Sequence, residues 1–131
     1  MRPEPDLTFF VDACLGRFVV ADLLRAAGAT VVAHDDVFKT GTPDQEWLAE
    51  VGNRGWVVLT KDRRIRYREN EKRALRLASV YAFVFAGGSR TGEEIGAALV
   101  KALPAMRRLI VRQRNPFIAS VTSAGAITIL D

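Results

Sequence analysis

The segment GWVVLTKDRR, Gly55 to Arg64, decides the fold. Its apolar run, Trp56 to Leu59, is short, bounded by glycine and rich in strand formers, and so predicts a buried strand over 56–60. The strand ends at Thr60. Asp62 follows at once, with arginines behind it at 63, 64, 66 and 68. A buried strand that delivers a carboxylate at its C-terminal end, with cations next in the chain, is the pattern to be explained.

The residues just upstream, TPDQEWLAEVG (42–52), predict a helix with a marked start. Thr42 is placed as N-cap, Pro43 at the first helical position, Asp44 at the second, and Gln45 completes a capping box. Trp47, Leu48 and Val51 form the apolar face. Gly52 and Gly55 bracket the turn into the strand.

Working outward, Thr8–Val11 (TFFV) predicts a strand ending at Asp12. Apolar positions 15, 18, 19, 23 and 26 recur at helical spacing and predict a helix over Leu15–Ala27, stopped by Gly28. Thr30–Ala33 reads as a second strand and His34–Gly41 as a polar loop. Beyond Asp62 a basic helix is expected over roughly 66–78. Val80–Ala86 is the next strand, a helix with a break near Pro104 is expected over 91–113, and FIASVT-SAG-AITILD predicts a C-terminal hairpin. Strands alternating with helices imply an α/β fold, a three-layer α/β/α sandwich on a mostly parallel sheet, in a single domain spanning 1–131.

Composition limits the function classes. The chain has 131 residues, 49% of them hydrophobic, which suits one globular core. No apolar run is long enough to span a bilayer. MRPEPDLTFF lacks the apolar centre of a signal peptide, and the lone Cys14 has no internal disulfide partner, so a cytoplasmic protein with no membrane partner is expected. The net charge of +4 hides a division. Residues 1–62 carry ten acids and six bases, a net of −4, whereas 63–131 carry five acids and thirteen bases, a net of +8. An acidic pocket beside a basic surface fits nucleic acid or an acidic partner.

In a parallel α/β sheet, sites form outside the carboxyl ends of the strands. Asp12 ends the first strand, Asp62 follows the strand at 56–60, and Asp44 opens the helix leading into that strand. Three carboxylates from distant segments are thus expected on one rim. Clustered carboxylates repel one another unless a cation intervenes, and hard oxygen ligands on an open rim suit Mg²⁺ or Mn²⁺. Arg63, Arg64, Arg66, Arg68, Lys72, Arg73 and Arg76 are candidates for phosphate contacts, with Arg68, Lys72 and Arg76 on one helical stripe. No phosphate-cradling glycine motif occurs. His34 lacks ligand-spaced partners and is expected in a loop. Cys14 reads as a small packing residue, and Tyr67 and Tyr81 as packing residues before base-stacking ones.

The order FFVDACLG, TPDQEWLAEVGNRG, VVLTKDRR resembles the PIN domain, a family of small metal-dependent ribonucleases that includes toxins of toxin–antitoxin pairs. The resemblance covers roughly residues 8–86, and the 18-residue step from Asp44 to Asp62 is similar to the family's helix-plus-strand unit. It implies Asp12, Asp44 and Asp62 as metal ligands for Mg²⁺ or Mn²⁺, metal-assisted hydrolysis of RNA phosphodiesters, and Thr60 as a hydrogen-bonding support of the site. It also implies a small antitoxin-type inhibitor as partner; a homodimer is a further expectation. One departure stands out. Members carry a further acid on a helix before the second aspartate, and 34–43 leaves that helix no room. Asp35, Asp36 and Glu46 are the substitutes, Glu46 lying about 200° round the helix from Asp44. The rival reading is a non-catalytic PIN-like module that binds RNA or protein. A phosphoacceptor receiver domain, with a similar layout, would want a paired acid and a late lysine that this chain does not show.

Overall fold

A computed structural model describes residues 7–16, 18–62, 80–113 and 116–130. Its element order is β1 (Thr8–Val11), a 3-10 turn (Ala13–Leu15), α1 (Val19–Ala26), β2 (Thr30–Ala33), α2 (His34–Val37), α3 (Asp44–Asn53), β3 (Val57–Thr60), β4 (Ala82–Phe85), α4 (Gly92–Arg112), β5 (Ile118–Val121) and β6 (Ile127–Ile129). The six strands form one sheet in the order β2-β1-β3-β4-β5-β6. Every pairing is parallel except the last, β5 with β6, which is the expected C-terminal hairpin. Its turn closes through Thr122 N to Ala126 O at 2.9 Å.

Strand alternation sorts the core into two layers. Phe9, Val11, Val57, Leu59, Phe83, Phe85, Ala119 and Val121 point to one face, where α1 and α4 cover them. Phe10, Val58, Ala82, Val84 and Ile118 point to the other, under Trp47, Leu48 and Val51 of α3. Helices on both faces of a mostly parallel sheet make the α/β/α architecture that the alternation of elements predicts. β3 and β4 are buried along their whole length, as central strands of such a sheet must be.

Four local expectations are corrected. The first helix does not start at Leu15: Gly16, at φ +96°, breaks the chain after the 3-10 turn, and α1 starts at Val19. Its buried face is Val20, Ala21 and Leu24, while Phe18 and Val19 are exposed. His34 is no loop residue. It opens the short α2, is buried, and packs against Phe10, Phe38 and Trp47 with Nδ1 3.0 Å from Asp35 Oδ1. The Thr42 capping box does not form; Pro43 is the N-cap, Asp44 is the first helical residue, and the Thr42 hydroxyl instead donates to Lys39 O at 2.7 Å. Finally, α4 runs unbroken through Pro104. The proline lies on its exposed side, where water can solvate the carbonyl it leaves unbonded, while Leu103 and Met106 stay in the core.

The expected basic helix over 66–78, with Arg63, Arg64, Arg66, Arg68, Lys72, Arg73, Arg76 and Tyr67, lies outside the described residues. Tyr81 packs edge-on against Phe117, with its hydroxyl donating to Gln113 O at 3.0 Å. Among the described residues, no helix is long and apolar enough to cross a membrane.

Candidate active site

Strand order turns this sheet into a site. From β1 the chain goes outward to β2, then crosses back to place β3 on the other side of β1. The carboxyl ends of β1 and β3 therefore flank the point where the winding direction reverses, where a crevice opens in this class of sheet. Asp12 leaves β1 there, its backbone N–H still donating to Leu59 O at 2.9 Å as the parallel ladder ends. Thr60 and Asp62 leave β3 beside it.

Thr60 is 1% exposed and joins the two strand ends. Its hydroxyl donates to Asp12 Oδ2 at 2.8 Å and accepts from the backbone N–H of Asp62 at 3.1 Å. A β-branched residue with a hydroxyl suits the position, since it fits a buried strand and supplies one donor and one acceptor. Cys14, brought round by the 3-10 turn, donates to Asp12 Oδ2 at 3.3 Å and lies 3.2 Å from the Thr60 hydroxyl. The Lys61 backbone N–H donates to the same sulfur at 3.4 Å. Asp12 Oδ2 is thus held by two side chains, and the Ala13 backbone N–H adds a hydrogen bond to the same carboxylate.

Electrostatics distinguish Asp12 from its neighbours. Burial raises its carboxyl above the ordinary value of 3.8, the Thr60 and Cys14 hydrogen bonds work against that rise, and the charge of Asp44 adds to it. Burial, followed by the charge of Asp12, pushes the Cys14 thiol up to about 11, so Cys14 stays a protonated donor at neutral pH. Asp44 sits at the N-terminus of α3 and accepts from the Trp47 indole N–H at 2.9 Å. Glu46 is exposed on the same helix. Asp35 and Asp36 lie on α2, and with Ala13 and Gly16 they line a cleft of about 120 Å³.

The structure therefore ties Asp12 to Thr60 by direct contact, to the Asp62 backbone through Thr60, and to Asp44 through its field. Among the described residues, no three His, Cys, Asp or Glu side chains stand close enough to hold a metal ion between them. The donors do not suit a closed protein cage. They suit a hard cation such as Mg²⁺, which takes one or two carboxylates and keeps several waters. The position of Cys14 against Asp12 was not legible in the sequence. The short step from Asp12 to Cys14 was its only signal, and the 3-10 turn gives that step its meaning.

No solved structure matches the chain. A curated relative named "Putative ribonuclease VapC45", from Mycobacterium tuberculosis, is 27% identical over 139 residues, an alignment covering 99% of this chain and 100% of the relative. The family model described as a PIN like domain matches residues 7–87. That span holds β1 to β4 with Asp12, Asp44, Thr60 and Asp62, and the chain belongs to the PIN-like domain family.

Proposed function

We propose that this protein is a metal-dependent ribonuclease that hydrolyses RNA phosphodiester bonds, in the manner of the toxin of a toxin–antitoxin pair. One observation carries the reading: Asp12 is a half-buried carboxylate at the sheet's reversal point, held by Thr60 and Cys14 and destabilised in its charged form by desolvation and by Asp44. A cation would relieve that cost. The mycobacterial relative's name and the PIN-like family support the activity.

Asp12, Asp44 and Asp62 are the residues that would hold Mg²⁺ or Mn²⁺. Bound there, the ion would supply charge stabilisation at the phosphoryl oxygens and lower the pKa of a water. Thr60 fixes the rotamer of Asp12 through its short hydrogen bond and sets the start of the loop that carries Asp62. Asp44 is oriented by the Trp47 indole, so its remaining oxygen has a defined direction. Glu46, in the first turn of α3, stands in for the acid that other members carry on a separate helix. The arginines of 63–76 and Lys72 neutralise flanking phosphates. A small antitoxin-type protein restrains the enzyme, and the chain works as a homodimer.

The test is cleavage of a mixed RNA pool with and without Mn²⁺, comparing wild type with Asp12→Asn, Asp44→Asn and Asp62→Asn. Cleavage that requires the ion and falls at least about a hundredfold in each variant is expected. Full activity in any variant removes that residue from the site. A second reading, a PIN-like module that binds RNA or protein without cutting, is favoured by the lack of a three-donor cluster among the described residues. It predicts RNA binding with no Mn²⁺-dependent cleavage.

A further inference from the structure

The two edges of the sheet are finished differently. At the β2 edge, Arg25 Nη2 donates to Val31 O at 3.0 Å, and the same guanidinium lies 3.5 Å from Asp22 Oδ1 and 3.6 Å from Asp36 Oδ2. The strand then runs directly into α2 at His34. Charge over the backbone and an early end are devices that stop an edge from pairing further. β6, the last strand on the other side, has neither. Its segment AITIL (126–130) contains no charged residue and no proline, and it pairs with β5 one residue to one, without a bulge.

The register fixes which groups are open. In an antiparallel pair, hydrogen-bonded and non-hydrogen-bonded positions alternate. Thr122 N donates to Ala126 O at 2.9 Å and Leu130 N to Ile118 O at 2.7 Å, so Ala126, Thr128 and Leu130 bond inward to β5. Ile127 and Ile129 therefore turn their N–H and C=O groups away from the sheet, and Ile129 is 42% exposed.

A row of cations follows that edge. β4 and β5 are parallel and β5 and β6 antiparallel, so α4, crossing from β4 to β5, runs in the direction of β6. Lys101 borders the start of β6: a Cβ on Gly125 would lie 3.3 Å from Lys101 Cβ. Steps of four, three and four residues carry that side of the helix through Ala105 and Arg108 to Arg112. Rises of about 3.3 Å per strand residue and about 1.5 Å per helical residue bring Ile129 level with the turn between Arg108 and Arg112. Lys101, Arg108 and Arg112 are exposed, and among the described residues none of them forms an ion pair.

We propose that β6 is a docking edge for an extended, acidic segment of a partner protein. The segment adds as a further strand through the open groups of Ile127 and Ile129 and sets its carboxylates against Arg108 and Arg112. In strand addition the backbone bonds supply affinity and the side chains over the strand supply choice of partner. A second copy of this chain would pair β6 with β6 about Thr128 and bring two rows of cations together, which their repulsion opposes. β4 and β5 separate this edge from the carboxylates that leave β1 and β3, so the surface is distinct from the Asp12 site.

The test is fluorescence anisotropy with a labelled peptide of about nine residues that alternates glutamate with valine, and with its lysine counterpart. The glutamate peptide is expected to bind wild type at least about tenfold more tightly than the lysine peptide. Ile129→Pro removes one outward N–H and leaves the bonds to β5 in place, so it should abolish binding while the melting temperature stays near that of wild type. Ile129→Val keeps the donor and should bind as wild type does. Arg108→Glu with Arg112→Glu should reverse the preference in favour of the lysine peptide. Failure of both peptides to bind wild type at up to about 1 mM overturns the proposal. So does a folded Ile129→Pro variant that binds the glutamate peptide as wild type does. If that variant does not fold, the charge reversal decides alone, and an unchanged preference overturns the proposal. Sedimentation showing a wild-type dimer that Ile129→Pro makes monomeric overturns it too, and gives the edge to a second copy.

Discussion

Asp12 is the residue on which the site turns, and its neighbours explain its cost. Its folded-state carboxyl is raised above 3.8, chiefly by burial. A raised acid contributes stability at low pH, where it is protonated in both states, and loses it as pH climbs through the folded value. At neutral pH without metal, the charged carboxylate is therefore a liability. Asp12→Asn keeps an oxygen for the Thr60 hydroxyl and carries no charge. In EDTA at pH 7 the variant should melt roughly 2–5 °C above wild type, with the gap closing below the ordinary carboxylate range. Added Mn²⁺ should raise the wild-type midpoint and leave the variant's unchanged. A wild type that is the more stable protein at pH 7 in EDTA would mean that its charge is already compensated. The T-x-D pattern announced Thr60 and Asp62 because residues two apart at a strand end are bound to stay near one another. Cys14 was silent, because only the turn after β1 points its sulfur at Asp12.

Among the elements, the α1–α4 contact shows how close packing is encoded. A Cβ on Gly96 would lie 2.5 Å from Leu23 Cδ1, and one on Gly92 would lie 3.3 Å from Val19 Cβ. The two glycines, one helical turn apart, let α4 approach α1 over the shared core. Gly96→Val should destabilise the fold by about 1–3 kcal/mol, read as a lowered urea midpoint. Adding Leu23→Ala should recover part of that loss, since the pair is in contact. An additive double variant would place the strain elsewhere. Helical spacing alone misassigned the face of α1, because 15, 18 and 19 fit the period as well as 20, 21 and 24 do; Gly16 decided between them. At α4 the start signal lay in Thr91 and Glu94, which form a reciprocal capping box with hydrogen bonds of 3.1 and 3.2 Å. Thr42 and Gln45 have the same spacing and form none, since the N-cap is Pro43 and Thr42 lies one residue before it.

At the scale of the molecule, a −4 segment that carries the carboxylates is followed by a +8 segment. An RNA-cutting enzyme with such a surface endangers its own cell, so the proposed function requires restraint. An inhibitor offering an arginine to Asp12 would replace a cation's charge through a short, charge-assisted hydrogen bond. Induced alone, the protein should slow growth, and the product of an adjacent small gene should co-purify with it and relieve the defect. A harmless protein that binds no neighbouring product and does not respond to Mn²⁺ would leave the binding-module reading in place.

The order of the strands and of α1, α3 and α4 along the chain, the two-sided burial of the central strands and the two aspartates at strand ends were determined by the sequence alone. These are local consequences of period-two and period-3.6 patterning, of short apolar runs and of the residues that stop them. What the tertiary structure decided is everything that depends on chain reversal: that β1 lies between β2 and β3, that Cys14 and Thr60 meet on one oxygen of Asp12, that His34 is a core residue, and that Phe18 faces a basic groove. Those contacts join residues that local patterning treats independently. Their geometry follows from the crossing of strands and the turn at Gly16, which no single segment specifies.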